Sequence, residues 1–331
     1  MRPGNFAISV RAVAFLVGIL AATLAAPRGQ AQVPAAVAAQ NRATDGRMDL
    51  AGALRLYASQ EERAPYRDVH VERDIHYGAS THQRLDLFIP TKPPGPAEVG
   101  STPRLRPVLI FVAPQSAARA SLGTARRAYD NVALWAVRQG LIGVTMQRRD
   151  DEASWQAGAQ DLAAAVSWMK THVRDSGGDP QRLIFVGAGV GGAQLLNYLA
   201  HHEYWCCQGP GVAAAALLGA PLNLMPLVPT AKAAAAHTPD TVPAMLMDPA
   251  HSDLPGLDGV YAPVFIGVPQ YQDQEAQRSA TILQQELCRR GRCPSVRYFP
   301  SHSVISAMLS FDTADQSVSR QVLAWLQQQH R

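Results

Sequence analysis

The stretch "LIFVGAGVGG" at residues 183–192 joins a buried-strand pattern to a glycine-rich turn of the kind that precedes a helix. With Gly187, Gly189 and Gly192, the turn fits G-x-G-x-x-G, the fingerprint of dinucleotide binding. With Gly187, Gly189 and Gly191, it fits G-x-S-x-G, the turn that exposes a nucleophilic serine, with glycine in place of the serine. The two patterns imply different chemistry, and the surrounding elements distinguish them.

The dinucleotide pattern needs a particular context that the chain does not offer. The glycine turn should follow the first strand of a βαβ unit, with an acidic residue about 20 positions later at the end of the second strand. Here three or more strands precede the turn, the next strand ends in "LLGAP" without a carboxylate, and Glu203 comes too early. The signal-peptide pattern of residues 1–31 also predicts export, and exported proteins rarely meet nicotinamide cofactors. We therefore predict no cofactor, and we rank dinucleotide binding below the two hypotheses that follow from the G-x-S-x-G pattern.

The first 31 residues have the pattern of a cleaved signal peptide. Arg2 and Arg11 precede an apolar run at 12–26 that is short for a bilayer span, and "GQA" at 29–31 offers small residues for cleavage. We expect a periplasmic or secreted protein that leaves the membrane after cleavage. Cleavage removes three arginines and lowers the formal charge from +4 to +1. The remaining arginine pairs are scattered, which predicts no nucleic-acid partner.

After the leader, the pattern divides the chain into two further parts. Residues 32–69 form an alanine-rich helical and linker segment, with a short helix expected in "MDLAGALRLYASQ". From residue 70 to 331, apolar strands alternate with segments of helical period, which predicts an α/β fold with a mostly parallel sheet covered on both faces. The segment 221–261, rich in proline and alanine, breaks this rhythm and predicts a small helical cap over the strand ends, where such sheets bind ligands.

The order and spacing of these elements carry a family resemblance from about Tyr77 to the C-terminus. The chain resembles the esterase and lipase branch of the α/β-hydrolase superfamily, close to the bacterial feruloyl-esterase-like (BD-FAE) domains. The most specific match is "GGDPQRLIFVGAGVGG" at 177–192, because that branch carries G-G-D-P-x-R, an apolar strand and G-x-S-A-G-G at this spacing. The resemblance implies the α/β-hydrolase fold.

At two of the family's catalytic positions the residues lack the required groups. Gly189 stands at the nucleophile position and has no atom that could attack a carbonyl. Active members place H-G-G-G in the oxyanion loop, where glycine lets the backbone aim N–H groups at the developing charge. In this chain a proline, Pro114, falls in that loop, and proline has no backbone N–H to offer. The resemblance assigns this loop, with the residue after the elbow, to Ala113, Pro114, Gln115, Ser116 and Val190.

The base and the acid of the family's triad are also altered. The C-terminal motif P-G-H-N-H-x-S appears as "PSHSVIS" at 300–306, so Val304 takes the place of the catalytic histidine. A slip of the alignment would make His302 catalytic instead, but the flanking matches disfavour it. The acid position falls on Gln272, with Asp273 beside it. Since nucleophile, base and oxyanion loop act as one unit, loss of the serine leaves the others without a shared task.

These substitutions favour a pseudoenzyme that retains the fold as a binding or structural module, with a small-molecule or protein ligand above Gly189. The alternative is a weak or divergent carboxylic ester hydrolase with a non-standard nucleophile, for which Ser116 is the candidate and His302 its base. Ser116 lacks the strand-to-helix turn that exposes a nucleophile. The family activity is that of a serine hydrolase, but the missing nucleophile argues against an enzyme.

The four cysteines suit an oxidising compartment. Cys288 and Cys293 bracket "RRGR", whose glycine allows a tight reversal, so we predict a local disulfide between them. For the adjacent pair Cys206 and Cys207, a strained vicinal bridge, two thiols and an intermolecular link all remain open. His202 and Cys206 have i, i+4 spacing, but a metal site needs three or four convergent ligands, so no metal is predicted.

Overall fold

The computed structural model describes residues 33–47, 49–92, 104–114, 127–149, 156–206, 208–225 and 249–329. The predicted signal peptide, Gln115, Ser116, Cys207 and most of the predicted cap lie outside these residues, so these predictions stay untested. Among the described residues, no helix is both long and apolar enough to cross a membrane.

An eight-stranded sheet with the order β1-β2-β4-β3-β5-β6-β7-β8 forms the centre of the fold. The pairs β1–β2 and β2–β4 are antiparallel, and all the other neighbouring strands are parallel. The strands are β1 (Val69–His76), β2 (Arg84–Pro90), β3 (Arg106–Val112), β4 (Ile142–Met146), β5 (Gly178–Ala188), β6 (Ala214–Leu218), β7 (Val264–Tyr271) and β8 (Ser295–Ser303).

Helices pack on both faces of this sheet, which confirms the predicted fold class. The helices are α1 (Ala35–Thr44), α2 (Leu50–Tyr57), α3 (Asp130–Arg138), α4 (Ala157–His172), α5 (Val190–Ala200), α6 (Gln274–Arg289), α7 (Val304–Leu309) and α8 (Ser319–Gln328). Alternate residues of β3 face opposite cores: Ile110 packs with α4 and α5, and Phe111 with α3 and α7. Because both faces are covered, the inner strands are apolar without alternation, as in "LIFV" of β5.

Three elements were not predicted from the sequence: β1, α7, and α1, which precedes the one short helix expected in the alanine-rich segment. Strand β1 reads "VHVERDIH" and is at most half-buried, so it lacks the apolar run that identifies the inner strands. Helix α7 starts directly after β8 and is stabilised by a capping box, in which Ser303 and Ser306 bond each other's backbone N–H groups. In the predicted cap, the described residues include two short 3₁₀ turns, Pro249–His251 and Pro255–Gly259.

The N-terminal helices α1 and α2 pack into the same core as α7 and α8. Val37 and Tyr57 are fully buried there. Asn41 donates from Nδ2 to the carbonyl oxygen of Ser301 and to Ser306 Oγ, both at 2.9 Å. The Tyr57 hydroxyl lies 3.1 Å from the Ser306 carbonyl oxygen and 3.3 Å from Asp315 Oδ2. This segment is therefore joined to the sheet domain by buried polar contacts as well as by apolar packing.

Because the Tyr57 hydroxyl is buried, its removal leaves acceptors that water cannot reach. We expect Tyr57→Phe to lower the free energy of unfolding by about 1–2 kcal/mol, measured by urea denaturation at neutral pH. Tyr261→Phe is the matched control, since Tyr261 is 76% exposed and should change stability little. Equal stabilities for the two variants would contradict the proposed anchoring role of Tyr57.

Candidate functional site

The turn between β5 and α5 has the backbone conformation of a sharp elbow. Gly189 precedes the helix with φ 51° and ψ −127°, a region that residues with a Cβ rarely adopt. Its N–H donates to the Leu218 carbonyl oxygen of β6 at 2.9 Å, and its own carbonyl oxygen accepts from Gly192 N at 3.0 Å. The turn is therefore bonded to both the neighbouring strand and the following helix.

The other glycines of the motif let helix α5 approach the sheet closely. A Cβ at Gly191 would lie 2.5 Å from the carbonyl oxygens of Val112 and Ala113, at the end of β3. Strand β5 is the third of the parallel strands along the chain and lies inside the sheet between β3 and β6. This is the context of a nucleophile elbow and differs from the first βαβ unit that the dinucleotide pattern requires.

The space above the elbow is occupied by two apolar side chains. A Cβ at Gly189 would lie 2.9 Å from Pro114 Cβ and 3.4 Å from Pro114 Cα. Val304 Cγ1 would be 3.7 Å from the same point. The first distance is shorter than Cβ contacts in folded proteins, so a serine at residue 189 would require Pro114 to move.

The structure brings the predicted nucleophile, base and acid positions together. Val304 begins α7 directly after β8, and Gln272 follows β7. Both side chains lie against Gly219: a Cβ there would be 2.5 Å from Val304 Cγ2 and 3.1 Å from Gln272 Oε1. Gln272 Oε1 is buried and has no hydrogen-bond partner among the described residues. The three positions therefore converge, but their side chains provide no nucleophile, no base and no carboxylate.

Asp273, the neighbouring candidate for the acid, has a structural contact. It precedes helix α6, and its Oδ1 accepts a hydrogen bond from Ala276 N at 2.7 Å. This is the standard contact of an N-cap aspartate, which satisfies one of the free N–H groups of the first turn. Its carboxylate is thus directed at its own helix.

His302, the alternative base, lies in a separate buried cluster. Its Nδ1 lies 3.2 Å from Ser306 Oγ, and its Nε2 lies 2.8 Å from Ser317 Oγ and 3.5 Å from Asp315 Oδ2. The side chain is fully buried. Burial lowers the pKa of His302, and the charge of Asp315 opposes that effect.

Ser306, His302 and Asp315 have the residue types of a catalytic triad, yet a substrate cannot reach them. Ser306 and Asp315 are as buried as His302, and both contact the N-terminal helices through Asn41 and Tyr57. The sequence does not predict this cluster, because Asn41 and Tyr57 lie at least 249 residues away from the partners that they contact in it. Its contacts show a role in joining the N-terminal helices to the body of the protein.

Of the predicted oxyanion loop, the described residues are Ala113, Pro114 and Val190. Ala113 follows β3 and is half-buried, Pro114 is buried, and Val190 is the first residue of α5. Pro114 offers no backbone N–H, so it cannot serve as a donor there.

The structure also locates the predicted cysteine and metal candidates. Cys288 and Cys293 form the predicted disulfide. Cys206 lies on the surface beside the undescribed Cys207, so the state of that pair is not tested. Within the described ranges, no three histidine, cysteine, aspartate or glutamate side chains are arranged to hold a metal ion, and His202 and Cys206 belong to no such group.

Comparison with known proteins gives matches at the level of structure. No family model matches the chain, and no curated protein matches it in sequence. Esterase B from Lactobacillus rhamnosis is similar in structure, with a TM-score of 0.64 and 15% identity over 89% of this chain and 94% of that one. An esterase of the bacterial hormone-sensitive lipase family has a TM-score of 0.59 and 16% identity, over 90% of this chain and 99% of that one. Carboxyl esterase 2 from the mycorrhizal fungus Tuber melanosporum has a TM-score of 0.60 and 14% identity, over 88% of this chain and 97% of that one.

These neighbours share nearly their whole length with this chain, while their sequences differ at most positions. A likeness of this kind identifies the fold and leaves the activity open. Together with the eight-stranded sheet and the elbow at Gly189, it establishes that this chain has the α/β-hydrolase fold found in esterases.

Proposed function

We propose that this protein is an exported, non-catalytic α/β-hydrolase homologue that acts as a binding or structural module. The observation that carries the proposal is the contact between Pro114 and Gly189. A Cβ at Gly189 would be 2.9 Å from Pro114 Cβ, so the space that a nucleophilic side chain needs is already filled. The turn keeps the elbow conformation without a group that could use it.

The residues around the elbow support the same proposal. Hydrolysis by this fold needs a nucleophile, a base that takes its proton, and N–H donors for the oxyanion. Gly189 and Val304 have no titratable group, and Gln272 is a neutral amide. Val304 lies against both Gly189 and Gly219, and Gln272 lies against Gly219, so the groups nearest these positions are an apolar side chain and a neutral amide.

A ligand above the elbow would meet an apolar surface. Pro114 and Val304 provide the apolar contacts. The ligand class that we propose is therefore a small molecule or a protein segment with an apolar body.

Two finer assignments belong to this proposal and rest on the sequence. The G-G-D-P-x-R pattern before β5 supports a relation to the feruloyl-esterase-like domains. The charged and apolar pattern of residues 1–31 supports export, and the Cys288–Cys293 disulfide suits an oxidising compartment.

The absence of a nucleophile predicts that active-site reagents do not react. We expect no adduct when the protein is incubated with a fluorophosphonate probe and its intact mass is measured, and no turnover of a small aryl ester. Gly189→Ser should stay nearly unreactive as well, since Val304 cannot take the serine proton. Stoichiometric labelling of the unmodified protein would refute the proposal, and a label mapped to Ser116 would support the divergent hydrolase instead.

Because Pro114 fills the space at the elbow, a side chain at residue 189 should lower the free energy of unfolding by an unusually large amount. We expect Gly189→Ala to lower the free energy of unfolding by about 3 kcal/mol, from backbone strain plus the clash with Pro114. Gly291→Ala is the matched control: its φ is also positive, at 71°, but a Cβ there would have nothing within 4 Å. The control should cost only about 1 kcal/mol.

A double-mutant cycle separates the clash from the strain. Pro114→Gly removes the atom at 2.9 Å, so combining it with Gly189→Ala should recover about 1–2 kcal/mol relative to the sum of the single changes. Additive effects, or equal costs at residues 189 and 291, would show that Pro114 does not close the elbow.

A further inference from the structure

The ring closed by Cys288 and Cys293 carries two arginines that hold a neighbouring segment. The ring connects the end of α6 to the start of β8, and the elbow lies at the opposite end of these parallel strands. Arg292 Nη1 donates to the carbonyl oxygens of Asp258 at 3.0 Å and Val260 at 2.7 Å. Arg290 Nε donates to Asp258 Oδ1 at 2.6 Å.

We call residues 255–261 the clamped segment, because these arginine contacts fix it from outside. Its own backbone bonds are short-range turns, such as Val260 N to the Leu257 carbonyl oxygen at 3.2 Å. The guanidinium of Arg292 also lies 4.7 Å from the centre of the Tyr261 ring, which is 76% exposed. Without the arginines, two backbone carbonyls and one exposed aromatic ring would lose these contacts.

The clamped segment in turn packs against the far end of helix α5. Leu257 and Val260 are fully buried there. The approach is close at Gly256, where a Cβ would be 1.9 Å from the Ala200 carbonyl oxygen. A change in the position of this segment would therefore alter the packing at the C-terminal end of α5, the helix that begins at the elbow.

The disulfide constrains the position from which Arg292 reaches this segment. Arg292 lies between Gly291 and Cys293, and its backbone N–H bonds the Leu287 carbonyl oxygen at 2.8 Å. Closing the ring limits the conformations of this short connection. Cys293 is exposed and Cys288 is half-buried, so a reductant can approach the bond from solvent.

We propose that the Cys288–Cys293 disulfide is a redox-sensitive element that holds the arginine clamp in place, and that its reduction loosens residues 255–261 while the central sheet stays folded. In this step a dithiol reductant transfers two electrons and two protons to the S–S bond. The products are two protein thiols and the oxidised, cyclic disulfide of the reductant. The device works whether or not the elbow binds a ligand.

Amide hydrogen exchange of the full-length protein, read by mass spectrometry, tests this proposal. The oxidised protein is compared with protein that has been reduced by dithiothreitol and alkylated. We expect peptides covering 255–261 to exchange at least about tenfold faster after reduction, while peptides from β5 keep their protection. No change at 255–261 would overturn the proposal, and so would equal loss of protection in β5, because the effect would then be global.

Matched variants assign the effect to the ring and to Arg292. Cys288→Ser with Cys293→Ser should show fast exchange at 255–261 that dithiothreitol no longer alters, which separates this pair from the other two cysteines. Arg292→Gln should give the same local loosening with the disulfide intact. Arg289→Gln is the control, since Arg289 is in the same ring but pairs with Glu286. If Arg292→Gln leaves exchange unchanged, or Arg289→Gln alters it equally, the arginine clamp is wrong.

Discussion

The close approach of helix α5 to the ends of β3 and β6 constrains the whole site. Gly191 lies where a side chain would meet the carbonyl oxygens of Val112 and Ala113, and Gly189 turns the chain with φ 51° while its N–H bonds the Leu218 carbonyl oxygen. These contacts need glycine for steric reasons that are independent of catalysis. The elbow is therefore a structural junction whether or not it carries a nucleophile.

Apolar side chains lie next to that junction. Pro114 and Val304 now face Gly189, and Val304 and Gln272 face Gly219. In an active hydrolase, a polar group at any one of these points is useful only with the others. With glycine at residue 189, Pro114 and Val304 contribute apolar packing at this place, and Gln272 Oε1 beside Gly219 is a buried acceptor without a donor among the described residues.

The polar residues of the C-terminal region serve a different contact. His302, Ser306 and Asp315 form a buried cluster in which the hydroxyl of Tyr57 and the amide of Asn41 take part. Buried polar groups are costly unless each has a partner, so a cluster of this kind favours one docking position of the N-terminal helices. Residue types typical of a triad here stabilise the fold, which shows that function has to be argued from access and geometry.

The sequence by itself determined the inner strands, most of the helices, the glycine elbow and the disulfide, because each depends on residues close together in the chain. Buried strands such as β5 are continuous apolar runs, and Cys288 and Cys293 are five residues apart. The edge strand β1 and helix α7 could not be predicted, since β1 is partly exposed and α7 is a short helix closed by its own cap. Only the tertiary structure decided that Pro114 fills the space above Gly189 and that Val304 and Gln272 meet at Gly219. It also decided that α1 and α2 pack against the buried cluster that contains His302. Those contacts join residues that are far apart in the chain, and their distances depend on how the strand ends and helices pack together.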